Sequence, residues 1–205
     1  DALPIYGVPY PVFSYTGLLP WTYFAEAVSR SSGSVVGDGN LIKKVYFPRL
    51  IIPFAAVLTP LVDFGLALLF LVGMMLWFGI TPTANLFFLP VFMLVAFVTA
   101  LALGLWLSAL NVRFRDVRYI VPFLIQLWMY ASPVVYPASL VPEKWRFVFA
   151  LNPMTGVIEG FRWGLLGKQT PDFHVMAVSA VVVLALFLGG LVFFRQMERS
   201  FADVV

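Results

Sequence analysis

Long uncharged apolar runs constrain this chain more than any other feature of its sequence. A transmembrane helix needs about 20 apolar residues to cross about 30 Å of hydrocarbon. Runs of that length occupy residues 86–110 and 119–141 without a charge, 54–78 with only Asp63, and 173–194 with only His174 at its edge. A fifth run, at residues 12–34, contains Glu26 and Arg30. They lack the strict alternation that a membrane-spanning β-strand requires. We therefore predict an all-α polytopic membrane helix bundle with five spans.

The composition supports this prediction. Of the 205 residues, 61% are hydrophobic and 11% are charged, whereas soluble domains are about 45–50% apolar and about 25% charged. A soluble chain of this size lacks the interior needed to bury so much apolar surface. Its basic residues lie at the ends of the apolar runs, which is typical of membrane topology. An ordinary cytosolic enzyme, a disordered protein and a nucleic-acid-binding protein are therefore excluded.

The basic residues predict the orientation of the bundle. If the spans alternate, one side carries Lys43, Lys44, Arg49, Arg113, Arg115, Arg118, Arg195 and Arg199. The other side carries Lys144, Arg146, Arg162 and Lys168, all in one loop. Because loops rich in Lys and Arg stay in the cytoplasm, we expect a cytoplasmic C-terminus. Residue 1 then lies outside without a signal peptide, so we expect a further span before it, unless an external N-terminus is genuine.

The external residues 142–167 are predicted to form two short helices rather than a plain loop. Pro142 marks the start of the first helix, and Asn152-Pro153 breaks it. The second helix, at residues 155–166, is too short to span the bilayer and fits a re-entrant or interfacial element.

Glu159 and Arg162 lie three positions apart on this second helix and can pair. Three prolines should bend or end the fourth span nearby: Pro133, Pro137 and Pro142. The helix pair can act as an external lid, or only as a cap that shields the bundle.

Residues 38–49, on the cytoplasmic side, contain a short basic amphipathic segment that Pro48 ends. Such a segment lies along the membrane surface and can anchor to lipid. Alternatively, it presents apolar side chains to a cytosolic partner: Leu41, Ile42, Tyr46 and Phe47. A second basic loop runs from Arg113 to Arg118; its arginines satisfy the topology rule, while Asp116 indicates ion pairing or a docking surface.

Ionisable residues inside the predicted spans are functional candidates, because burying them unpaired in a bilayer is costly. Glu26 and Arg30 are four positions apart and can pair, on a face that also carries Ser29, Gly33 and Gly37. This face either packs on a neighbouring helix or lines an aqueous path. We expect Asp63 to find a partner inside the bundle, with Arg30 as the candidate.

Aromatic residues crowd the first and fourth spans: Trp21, Tyr23, Phe24, Trp128, Tyr130 and Tyr136. They are typical of the interfacial belt that Trp and Tyr form in membrane proteins. They also suit a stacking surface for sugar rings, whose C–H faces pack well on aromatic rings.

Motifs for catalysis are missing from the sequence. There is no P-loop, no metal-ligand spacing and no Cys, and the one His, His174, lies at the edge of a predicted span, where a Ser-His-Asp triad is not plausible. We therefore expect a transport protein with no cofactor of its own, whose energy comes from a partner.

Four segments resemble the type-two ABC transporter permeases that export polysaccharide, O-antigen and teichoic acid. They are residues 40–48 (NLIKKVYFP), 105–119 (LWLSALNVRFRDVRY), 122–137 (PFLIQLWMYASPVVYP) and 152–162 (NPMTGVIEGFR). The resemblance covers nearly the whole chain and implies a single permease domain of six spans in the bacterial inner membrane, with the first span absent here.

The resemblance also implies partners and roles. Two permease copies would pair with two separate ATPase subunits, which bind ATP and Mg²⁺, and would move a lipid-linked glycan outward. Contacts to the ATPase would come from Leu41, Ile42, Lys43, Lys44, Tyr46, Phe47, Arg49, Arg113, Arg115, Asp116 and Arg118. The tunnel would be lined by Trp21, Tyr23, Phe24, Trp128, Tyr130 and Tyr136, and residues 142–167, with Glu159 and Arg162, would form the external gate. The alternatives are export of a drug or small lipid, and a membrane-embedded lipid-sugar enzyme.

Overall fold

The computed structural model describes residues 7–44, 47–138, 141–168, 170, 172–198 and 201. Every regular element in these residues is helical, which confirms the all-α prediction. The helices are α1 (Tyr10–Gly37), α2 (Gly39–Lys44), α3 (Ile51–Leu58), α4 (Pro60–Trp77), α5 (Leu89–Arg113), α6 (Val117–Tyr130), α7 (Glu143–Leu151), α8 (Pro153–Leu166) and α9 (Phe173–Glu198), with a 3-10 turn at Ala84–Phe88 before α5.

Three helical stretches in the described residues are long and apolar enough to cross a membrane. They are Ile51–Trp77, which joins α3 and α4, Ala84–Arg113 and His174–Glu198. Helix α1 has 28 residues and is therefore about 42 Å long, but it carries a polar face. These helices support a membrane bundle, while the number of spans stays a prediction.

The predicted fourth span, at residues 119–141, is wrong in its length. Helix α6 has 14 residues and ends at Tyr130, so it is about 21 Å long and shorter than the hydrocarbon core. Residues 131–137 are non-helical. Pro133 and Pro137 explain this end, because proline has no N–H to donate and disfavours helical geometry in the residue before it.

Helices α1 and α5 form the centre of the bundle and pack closely on each other. A Cβ atom at Gly104 would lie 2.2 Å from the hydroxyl oxygen of Ser31, so only glycine permits this approach. Nearby, the Asn111 side chain donates a hydrogen bond to the Ser32 carbonyl (3.0 Å). Small residues and polar bonds of this kind hold membrane helices together where lipid is as apolar as the protein. Around this pair, α3, α4, α6 and α8 contact α1, while α9 packs along α5.

Helices α7 and α8 form at the predicted positions, and the break between them falls at Asn152. The side chain of Asn152 caps α8 by accepting a hydrogen bond from the Met154 N–H (3.1 Å). Gly167, at φ 65°, ends the helix in the left-handed conformation that favours glycine. Of the 14 residues of α8, all except Glu159 and Trp163 are buried, so α8 is inserted among α1, α5 and α9.

Candidate functional site

A polar face of α1 lies uncovered by the rest of the described chain. Arg30 donates from Nε to Oε1 of Glu26 at 2.6 Å, and both side chains are about half exposed, at 45% and 50%. Thr22, which is exposed, and Ser29 and Gly33, which are half-buried, lie on the same face. They are four positions before Glu26 and three and seven positions after it. We call these five residues the polar face. An ion pair in this setting needs water or a polar neighbour around it.

The prediction that Asp63 pairs with Arg30 inside the bundle is wrong for the described residues. Arg30 is bound to Glu26 instead, because a partner four positions away on one helix is within easy reach. The Asp63 side chain is exposed. It lies seven positions before Phe70, which packs on Tyr15 of α1 at a ring-centroid distance of 5.7 Å. Tyr23 likewise packs on Phe64 at 6.0 Å, so Asp63 lies at about the level of Thr22 along α1.

Three aromatic residues predicted to line a tunnel are instead part of the core. Trp21 and Tyr23 are each 3% exposed and Phe24 is fully buried. Trp21 and Phe24 pack on Trp128 of α6 at 6.5 and 5.4 Å between ring centroids. Tyr23 donates its hydroxyl to the Val57 carbonyl at 3.2 Å. These rings hold α1 against α3 and α6, and they have no free surface on which a sugar could stack.

The remaining predicted tunnel residues lie on or near α6. Tyr130 is 65% exposed, and Tyr136 is half-buried and donates its hydroxyl to the Tyr130 carbonyl at 3.2 Å. The exposed side of α6 also carries Tyr119 and Phe123, which sequence analysis missed. Their spacing of 119, 123 and 130 places them on one helical face, and this periodicity was the signal available in the sequence.

Arg162 organises the end of the bundle where α6 stops. Its guanidinium is buried and donates to the carbonyls of Val134 (2.6 Å) and Tyr136 (3.2 Å). Its Cζ atom lies 3.9 Å from the ring centroid of Phe13 on α1. A Cβ atom at Gly17 would lie 2.5 Å from the Val134 oxygen, so α1 must have glycine there. Arg162 thereby satisfies backbone carbonyls that the non-helical residues 131–137 leave unpaired within the bundle.

Two further polar contacts join α6 to the α7–α8 pair. Asn152 donates from Nδ2 to the Ser132 hydroxyl at 2.8 Å, and Ser132 in turn donates to the Trp128 carbonyl at 2.9 Å. On α8, burial raises the pKa of Glu159, Arg162 opposes this shift, and Asp172 adds to it. The sequence predicted Glu159 and Arg162 as gate residues; Arg162 binds the residues that follow α6, and the gate role of both stays a prediction.

The basic end of the bundle is the end formed by α2, the loop before α3, the α5–α6 connection and the last turn of α9. Its exposed residues include Leu41, Lys44, Arg113, Arg115, Asp116 and Arg118. Phe47 is half-buried. Ile42 and Lys43 lie in α2, but their side chains, and all of Tyr46, fall outside the described part of the chain. A role of these residues in docking an ATPase stays a prediction.

Arg49 is placed differently from its neighbours at the basic end. It is half-buried, and its guanidinium donates from Nη1 to the carbonyl of Glu198 at the end of α9. A contact of Arg49 with an ATPase stays a prediction, and this bond directs the guanidinium to the chain's own last helix. Among the residues that the structure describes, no group of His, Cys, Asp or Glu could hold a metal ion.

Comparison with known proteins identifies the family that this chain resembles in sequence. The family model described as ABC-2 type transporter matches residues 8–166. The chain is 33% identical over 199 residues to the O-antigen export system permease protein RfbA of Myxococcus xanthus, covering 96% of this chain and 76% of that protein. It is 27% identical to the protein of the same name from Klebsiella pneumoniae, with the same coverage. The polysialic acid transport protein KpsM of Escherichia coli is 22% identical, covering 94% and 75%.

Proposed function

Since the chain belongs to the ABC-2 type transporter permease family, we propose that it is the membrane subunit of an exporter that moves a polysaccharide or lipid-linked glycan out of the bacterial cytoplasm. The observation that carries this proposal is the match along 96% of the chain to a permease named for O-antigen export. The family transports rather than catalyses, and the sequence holds no nucleotide-binding motif, so ATP and Mg²⁺ belong to a separate ATPase subunit.

The polar face of α1 supports a hydrated path for such a substrate. Glu26, Arg30 and Thr22 offer both hydrogen-bond donors and acceptors, which match the hydroxyl groups of a glycan. An exposed ion pair is costly in hydrocarbon, so the polar face must turn toward water or a second copy of the chain. A homodimer whose two polar faces meet around a shared path meets that requirement.

The basic end supports an orientation with the C-terminus in the cytoplasm. Lys44, Arg113, Arg115 and Arg118 are all exposed there, as expected for cytoplasmic loops. The exposed Leu41 and Asp116 provide apolar and acidic contacts in the same region. We assign this surface to the ATPase, and we assign α7 and α8, at the opposite end, to the external gate.

Reconstitution tests the transport function directly. The full-length permease is placed in proteoliposomes with its ATPase, and ATP-dependent movement of a labelled lipid-linked glycan is measured. Movement that requires both subunits supports the proposal. Movement of a drug or a short-chain lipid, with no movement of the glycan, would mean that the protein exports small molecules rather than glycans. Transport without the ATPase would refute the proposal that ATP hydrolysis by a separate subunit drives export.

The absence of cysteine from the sequence permits a clean test of the path. Thr22→Cys places a thiol on the polar face, and Leu184→Cys places one on the exposed side of the apolar helix α9. A membrane-impermeant maleimide reacts with the hydrated thiolate, so we expect labelling at position 22 and not at 184, with protection at 22 by the glycan. Equal labelling of both variants would contradict a path along α1.

A further inference from the structure

Helix α9 is tied to the segment before α3 by a contact that the family assignment does not explain. Arg49 ends the predicted coupling segment, residues 38–49, and donates its guanidinium to the carbonyl of Glu198, in the last turn of α9. Backbone carbonyls near the C-terminal end of a helix carry partial negative charge and attract a cation. An arginine at this position therefore attaches the coupling segment to the end of α9 itself.

The middle of α9 packs closely on α5, and we expect the two helices to move as one unit. Trp106 of α5 stacks on Phe193 at 4.7 Å with an interplanar angle of 18°. Its indole N–H donates to the Leu186 carbonyl at 3.0 Å. A Cβ atom at Gly190 would lie 3.0 Å from the Ala102 carbonyl oxygen, so the two backbones are nearly in contact. With 26 residues, α9 is about 39 Å long and reaches from one end of the bundle to the other.

The opposite end of α9 is attached to both predicted gate helices. Ser179 is buried and donates its hydroxyl to the Ala150 carbonyl of α7 at 2.9 Å. A Cβ atom at Gly156 of α8 would lie 3.5 Å from the same hydroxyl oxygen. One side chain of α9 thus touches α7 and α8 where they meet.

We propose that α9 is a rigid link between the coupling segment and the α7–α8 pair, and that Arg49 is the positioning residue that engages it. This inference rests on the proposed function. Displacement of the coupling segment by an ATPase pulls on the end of α9 through Arg49, and the α5–α9 pair carries the shift to Ser179. Closely packed helices shift as units rather than deform continuously, so a movement at one end is delivered to the other.

The test uses the permease reconstituted with its ATPase and compares Arg49→Gln with Arg195→Gln. Arg195 is exposed in the last turns of α9, so both variants remove one positive charge from the basic end. We expect Arg49→Gln to co-purify with normal amounts of ATPase and to keep its basal ATP hydrolysis, while glycan moved per ATP falls at least about five-fold. Arg49→Lys should restore part of this ratio, and Arg195→Gln should leave it unchanged.

A variant at the other end keeps the test decisive if Arg49→Gln folds poorly. Ser179→Ala removes only the hydroxyl bond to α7 and should lower the same ratio. The double variant should lose no more than the worse single variant, because both act on one link. Losses that multiply, an unchanged ratio in both single variants, or loss of ATPase co-purification in Arg49→Gln would each overturn the link.

The failure of the link and that of the proposed function are distinguishable in this assay. If the wild-type pair moves no glycan, the proposed function fails before any variant is compared. If the wild-type pair moves glycan and both single variants match it, the function stands and α9 is not the link.

Discussion

Replacing Gly17 by Ala tests whether α1, Arg162 and the non-helical residues 131–137 form one tightly packed unit. The added Cβ atom would lie 2.5 Å from the Val134 carbonyl oxygen and 2.7 Å from Nη2 of Arg162. Neither neighbour can withdraw freely, because the carbonyl is backbone and the guanidinium is buried and bonded to it. Ala should therefore separate α1 from this region or break the Arg162 bond.

The expected size of the effect follows from two alternative costs, set against one gain. Overpacking a well-packed interior costs about 1–3 kcal/mol, and weakening a hydrogen bond to a charged group costs about 1.5–3 kcal/mol. Against these, Gly→Ala within a helix gains about 1 kcal/mol. A net loss of about 2 kcal/mol corresponds to a fall in Tm of about 4–8 °C for a chain of this size.

The assay is thermal unfolding of the purified full-length protein in detergent, with Gly33→Ala as the matched control. Gly33 lies on the same helix, and a Cβ atom there would meet nothing within 4 Å. We expect Gly33→Ala to keep or raise the Tm and Gly17→Ala to lower it. A Gly17→Ala protein as stable as the Gly33→Ala protein would refute the packing of Arg162 against α1.

Three further predictions concern single side chains. Arg162→Met leaves the buried carbonyls of Val134 and Tyr136 without their donor and should cost about 3 kcal/mol or more in unfolding experiments, whereas Arg162→Lys should cost less. Because burial raises the pKa of Glu159, its stabilising contribution is present at low pH and is lost as the pH rises through that pKa. Glu159→Gln should therefore gain in Tm over wild type as the pH rises above about 4.5, the ordinary pKa of a glutamate, and a constant difference would contradict this. Tyr23→Phe should lower the free energy of unfolding by about 1 kcal/mol and leave glycan export normal. A sharp fall in export would instead indicate that Tyr23 contacts the substrate.

The helices and their breaks were largely predictable from the sequence. Runs of apolar residues long enough to span a bilayer must satisfy their backbone hydrogen bonds internally, so they form helices. Asn152-Pro153 supplied both a capping side chain and a residue suited to the first turn, and the α7–α8 break falls there. The end of α6 was harder to predict, because residues 131–141 are as uncharged as the helix before them and only the prolines distinguish them.

Which side of each helix is buried and which is exposed was not predictable in the same way. In a water-soluble helix, apolar residues mark the buried face, but a membrane helix is apolar on lipid-facing and packed sides alike. Trp21 and Phe24, which are buried, and Tyr119 and Phe123, which are exposed, therefore look equivalent in sequence. Arg49 likewise resembles Lys44 as a basic loop residue, and only the position of α9 separates their roles.

The sequence alone thus determined that the chain forms membrane helices, that its basic loops lie at one end, and that it resembles a family of exporters. Only the tertiary structure decided that Asp63 is exposed rather than paired with Arg30, that Arg162 binds the carbonyls after α6, and that Arg49 binds the last turn of α9. The physical reason is that each of these choices depends on distances between residues far apart in the chain or on competition between partners, and a local pattern of residue types contains neither.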